Sequence, residues 1–118
     1  MVIGIFLEDD DSRSPSDFLH HMLYKDERVY WIRIKSHEEF KEFLDKHGFP
    51  DIVSFDHDLK PEHYDIDANE IDYNKTSGTG WHACKYIIDL KKPLPTLLVH
   101  SMNPVGRENI LKLIGFNK

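Results

Sequence analysis

Cysteine is almost absent: Cys84 stands alone in 118 residues, which excludes an internal disulfide and suits a reducing compartment. Long apolar runs are missing too, so no segment approaches the roughly 20 apolar residues of a membrane span. The opening stretch MVIGIFLEDDD carries no basic leader and no small-residue cleavage site, so no signal peptide is expected and the expected location is the cytoplasm. Positive charge is scarce, with 15 Lys and Arg against 21 Asp and Glu. The resulting formal charge of −6 argues against a partner such as duplex DNA, which needs a basic footprint. It leaves room for a small phosphorylated ligand, held by a locally positive pocket or by a cation bound to carboxylates. Repeats and low-complexity segments are lacking. What remains, 40% apolar and 31% charged residues, reads as one globular domain over 1–118.

The apolar residues fall into short alternating blocks. Val2 to Leu7 reads as a buried strand that runs into Glu8-Asp9-Asp10-Asp11. Ser14-Pro15-Ser16-Asp17 has the signals of a helix start, and Phe18, Leu19, Met22 and Leu23 follow at helical spacing. Val29 to Ile34 is β-branched and aromatic, and reads as a second strand. Ser36 and Glu39 form a capping-box pattern for a helix that Gly48 closes. Ile52 to Phe55 makes a third strand, and a long polar loop follows at about 60–78, either a lid or a solvated insertion. A helix from Thr79-Gly80, a strand over Thr96 to Val99 and a helix from Asn103-Pro104 complete the chain. This alternation predicts an α/β fold, a three-layer flavodoxin-like sandwich of about four parallel strands with helices on both faces.

Ligands of such sheets bind beyond the carboxyl ends of the strands. Three polar clusters stand at those positions: Glu8-Asp9-Asp10, Asp56-His57-Asp58 and His100-Ser101. Carboxylates brought together repel unless a cation compensates, so Glu8, Asp9, Asp10 and Asp56 are candidate metal ligands for Mg²⁺ or Mn²⁺. His57 and His100 follow the third and fourth strands and form a candidate acid–base pair across a small pocket. Asp58 either orients His57 or caps the turn. Arg13, Ser101, Asn103 and Arg107 are candidate phosphate contacts, the last three around a helix amino terminus. The other six histidines are expected to be structural or exposed.

These segments resemble the family of cyclic-phosphate processing receiver domains. The resemblance rests on Phe6-Leu7-Glu8-Asp9-Asp10 with Arg13, on Phe55-Asp56-His57-Asp58-Leu59, on Thr79-Gly80 and on Val99-His100-Ser101-Met102-Asn103-Pro104-Val105-Gly106. It implies a receiver-like fold with an acidic metal pocket and two added histidines, acting on cyclic phosphates of nucleotides or RNA ends. The chain departs from a full receiver by stopping after the fourth helix, so the fifth strand and its lysine are expected to be missing. The expected function is a metal-assisted phosphoesterase with a two-histidine acid–base pair. The alternatives are a phosphoacceptor receiver with Asp56 as nucleophile, and a non-catalytic module that binds a metal or a phosphorylated ligand.

Overall fold

Strand β1 (Val2–Leu7) pairs in parallel with β2 (Val29–Ile34) on one side and β3 (Ile52–Phe55) on the other, and β3 pairs in parallel with β4 (Thr96–Val99). The order β2-β1-β3-β4 makes β1 and β3 the two inner strands, and they are the most deeply buried ones. This computed structural model describes residues 2–18, 29–59 and 72–116.

Register divides the side chains between two faces. Ile5 lies level with Ile32 and Val53, and Leu7 with Ile34 and Phe55, while Val53 and Phe55 align with Leu97 and Val99. These residues share one core with Phe40 and Leu44 of α1 (His37–His47), with Ala83, Cys84 and Ile87 of α2 (Gly80–Asp89), and with Ile110 of α3 (Pro104–Phe116). The three α-helices among the described residues therefore pack on the same face of the sheet. Phe6, Ile52 and Ser54 belong to the opposite face, where Phe18 and Trp31 approach Phe6. Trp31 also lies across Gly4, where a Cβ would sit 2.7 Å from the indole ring.

The helix boundaries follow the capping chemistry. The Ser36 hydroxyl accepts the Glu39 N–H at 3.1 Å, and Gly48 ends α1 with φ of 75°, a conformation that costs glycine little. Thr79 caps α2, and Asn103 caps α3 by accepting the Gly106 N–H at 3.0 Å. At the helix start expected from Ser14, a 3-10 turn, Pro15–Asp17, forms with Asp17 accepting the Ser14 N–H, and Phe18 after it is extended. Phe18 thereby brings its ring toward Phe6 and His100. Leu19, Met22 and Leu23, and residues 60–71 of the long loop, lie outside the described residues.

Candidate metal and phosphate site

The ladder does not stop where the regular strands end. The Glu8 N–H donates to Ile34, the Asp56 N–H to Leu7 and the His100 N–H to Phe55, at 2.9 to 3.1 Å. Since Phe6 is level with Ser54 and Ser54 with Leu98, the next residues on that face are Glu8, Asp56 and His100. The sheet thus sets them side by side, one step beyond three adjacent strands, on the face away from the helices. One potential ligand atom from each lies within 4.8 Å of the others, and all three side chains are buried.

Each side chain is aimed by a second contact. The Asp10 N–H donates to Glu8 Oε2 at 3.3 Å, leaving Oε1 3.5 Å from His100 Nε2. His100 is clamped through Nδ1, 2.7 Å from the Ser54 hydroxyl, and its ring stacks on Phe6 at 4.3 Å. Arg13 is the nearby cation, with Nη1 3.5 Å from Glu8 Oε1 and 3.8 Å from Asp56 Oδ2, and with Nε 3.6 Å from Asp10.

Two buried carboxylates this close cannot both ionise freely. Burial and the neighbouring Glu8 push Asp56 up to about 9. Burial alone would raise Glu8 as well, but hydrogen bonding with His100 and Asp56 outweighs it and holds Glu8 at about 2. Burial lowers His100, against the pull of Glu8. The pair therefore retains one proton where a cation would otherwise sit. Glu8 Oε1 and Asp56 Oδ2 are buried oxygens with no hydrogen-bond donor among the described residues. Two carboxylate oxygens and one imidazole nitrogen suit Mn²⁺ or Mg²⁺, and the orphaned oxygens give such an ion a place.

A second polar group occupies the helix side of the same sheet edge. His57 Nδ1 lies 2.7 Å from Asp58 Oδ1, and Nε2 lies 2.9 Å from the Tyr73 hydroxyl. Asn109 donates to that hydroxyl at 3.0 Å, and Asn103 donates to the other Asp58 oxygen at 3.4 Å. Tyr73 itself lies flat on Trp81, with ring centroids 4.1 Å apart, and its carbonyl accepts a bond from His82 Nε2. The glycines of the two motifs explain themselves here. A Cβ on Gly106 would fall 2.4 Å from His57 Cγ, and one on Gly80 would fall 1.7 Å from the Asp56 carbonyl oxygen. Both helices can reach the sheet edge only without a side chain at those positions.

The cyclic-phosphate processing Receiver domain family model matches residues 3–115. The chain belongs to this family. No curated protein and no solved structure matches it.

Within this receiver-like frame the candidate residues named from sequence separate into groups. Glu8, Asp56 and His100 come together, with Arg13 beside them and Asp10 holding Arg13. Asp10 is also held by Ser12, whose hydrogen bonds lower its pKa. Asp9 and Asp10 are not members of the three-residue group. His57 and His100, expected to face one another, sit in two different hydrogen-bonded groups, because one position along the strand changes the face. Asp58 lies against His57 Nδ1, and its other oxygen accepts from Asn103 at the start of α3, a contact outside the two roles considered for it. Ser101 and Arg107 line a cavity of about 480 Å³ with Met102, Pro104, Glu108 and Leu111.

Sequence reading overlooked Ser54, Arg33, Tyr73 and Asn109. Ser54 and Arg33 left a trace, since each is a polar residue inside an otherwise apolar strand. Tyr73 is hidden in a long polar stretch, and the partners of its hydroxyl are 16 and 36 residues away.

Proposed function

We propose that this protein is a phosphoesterase that opens cyclic phosphates with the help of a divalent cation, Mg²⁺ or Mn²⁺, held by Glu8, Asp56 and His100. The observation that carries this reading is the buried group of three at the carboxyl ends of the strands, with its two donor-less carboxylate oxygens. When bound, the cation supplies charge neutralisation at a phosphoryl oxygen and a more acidic water. The rest falls to side chains of this chain. Ser54 fixes His100 by accepting from Nδ1, which leaves Nε2 as a donor atom. Arg13 is partly exposed and faces the acidic group, so its guanidinium is placed to take a phosphate at the mouth. Asp58 holds the Nδ1–H of His57, which makes Nε2 the basic nitrogen, and the Tyr73 hydroxyl donates to it. His57 and Tyr73 are then the proton-carrying pair, with His100 a ligand and no longer its partner in acid–base work. The ligand class is a small cyclic phosphate or the end of an RNA strand, since the net charge of −6 disfavours an extended duplex. None of the described helices is long and apolar enough to cross a membrane.

Assaying purified protein with Mn²⁺ or Mg²⁺ against 2′,3′- and 3′,5′-cyclic nucleotides and cyclic-ended RNA tests the proposal. Ring opening that disappears in Asp56→Asn and His100→Ala is expected. No turnover on any of these substrates, with metal demonstrably bound, overturns the catalytic reading.

A second reading has one observation in its favour. Both ring nitrogens of His57 are engaged inside the protein, as suits a module that binds a phosphorylated ligand without turning it over. Tight ligand binding without turnover in the same assay selects it. Phosphoacceptor signalling through Asp56 gains no such support, since that carboxyl is 2% exposed.

A further inference from the structure

The loop from Glu8 to Arg13 carries three of the charged residues of the site and closes locally through the Arg13 N–H on the Asp10 carbonyl and through Ser12 on the Asp10 carboxylate. Its further support comes from β2. The Arg33 guanidinium donates to the carbonyl oxygens of Glu8 at 3.4 Å and Asp10 at 3.1 Å, and also to that of Arg13. The same guanidinium lies 5.2 Å from the centroid of Phe6, the ring on which His100 stacks. Arg33 thus touches the acidic loop at three points and the platform of the histidine at a fourth.

We propose that Arg33 is a positioning residue for the divalent-cation group, curling the 8–13 loop so that Glu8 Oε1 is presented beside Asp56 and His100. The proposal rests on the metal-site reading above. The chain of contacts is specific. Drawing the carbonyls of residues 8, 10 and 13 onto one planar cation folds the loop back. That fold brings the Asp10 N–H onto Glu8 Oε2, and Oε2 so held leaves Oε1 facing the site. The same curl returns Arg13 over both carboxylates. Only a guanidinium offers a fork of donors wide enough for three carbonyls; a lysine ammonium at this position keeps the charge but not the fork. A positive charge here also offsets the clustered negative charge without entering the site, whose oxygens stay available.

The test compares wild type, Arg33→Lys and Arg33→Met by calorimetric titration with MnCl₂. It adds hydrogen exchange of the amides of residues 9–13 and repeats both measurements with millimolar guanidinium chloride, far below denaturing levels. The expected result is a Mn²⁺ affinity weakened about 10-fold or more in both variants. Faster exchange confined to residues 9–13, and partial recovery of affinity with guanidinium in Arg33→Met, complete the expectation. Affinity within twofold of wild type in a folded Arg33→Lys overturns the proposal, and so does exchange at residues 9–13 unchanged from wild type. If wild type itself binds no Mn²⁺, the metal reading fails, and the exchange measurement alone decides whether Arg33 shapes the loop. If Arg33→Met does not fold, Arg33→Lys, which keeps a cation near Phe6, carries the comparison.

Discussion

Two polar clusters stand at the same end of one sheet, and they are built on opposite terms. On the helix side, Asp58, His57, Tyr73, Asn109 and Asn103 satisfy one another in a continuous chain of hydrogen bonds. On the other side, Glu8 Oε1 and Asp56 Oδ2 are buried with no donor among the described residues, and the two acids oppose each other's ionisation. A satisfied network fixes geometry and adds to stability. An unsatisfied one costs stability and persists where something else completes it. The difference separates a closed cluster from an open one: the first holds His57 and the two helix starts, and in the second Glu8 Oε1 and Asp56 Oδ2 have no donor among the described residues.

Mutations can break this contrast in a graded order. Gly80→Ala has the largest expected effect, since the new methyl group meets the Asp56 carbonyl at 1.7 Å and the backbone of both clusters must move. A loss of about 3 kcal/mol or more is expected by chemical denaturation; a stability equal to wild type would show that α2 docks elsewhere. Within the satisfied cluster, Asp58→Asn removes a strong acceptor from His57 and costs about 2 kcal/mol, and Tyr73→Phe costs about 1 kcal/mol. Both substitutions are expected to lower the melting temperature whether or not metal is present.

Asp56→Asn moves the other way. It relieves the carboxylate pair and gives Glu8 Oε1 an amide donor, so metal-free protein gains about 1 kcal/mol near pH 8. A clear destabilisation in the same melting experiment would mean that the acidic pair is not under strain.

The same acidic pair also gives a pH dependence with a definite sign. Folded protein keeps the Asp56 proton up to about 9, whereas the unfolded chain releases it near 3.8. That contribution is full below pH 3.8 and is lost as pH rises toward 9. Glu8 runs opposite: held at about 2 against an ordinary 4.5, it contributes above 4.5 and the contribution is lost as pH falls toward 2. Metal-free protein is therefore expected to melt highest near pH 4 to 5 as far as this pair is concerned. Saturating Mn²⁺ should flatten the alkaline side by displacing the proton, and melting curves from pH 4 to 9 read both slopes.

Much of this was legible in the sequence. The alternation of strand and helix blocks gave the parallel sheet, because parallel strands buried on both faces read as short apolar runs. Ser36, Gly48, Thr79 and Asn103 marked helix ends through local chemistry that needs no distant partner. Glu8, Asp56 and His100 were visible as residues following strands. Which of the neighbouring acids would join them was not, since that depends on pairing register, and one step along a strand changes the face. The same step separates His57 from His100. Ser14 and Pro15 carry helix-start signals, and a 3-10 turn forms there, while the extended Phe18 after it packs on Phe6 and His100, a contact no local pattern shows. Arg33 and the Tyr73 hydroxyl act through partners at least 16 residues away, which no local pattern shows.

The most direct test is a Mn²⁺ titration followed by calorimetry and electron paramagnetic resonance on wild type, Asp56→Asn and Tyr73→Phe. One equivalent bound by wild type near pH 7, with about one proton released, is the predicted result. Asp56→Asn should lose that binding, and Tyr73→Phe should keep it despite its lower stability. Wild-type protein that binds no Mn²⁺, or Asp56→Asn binding it as wild type does, would contradict the assignment of the open cluster as the metal site.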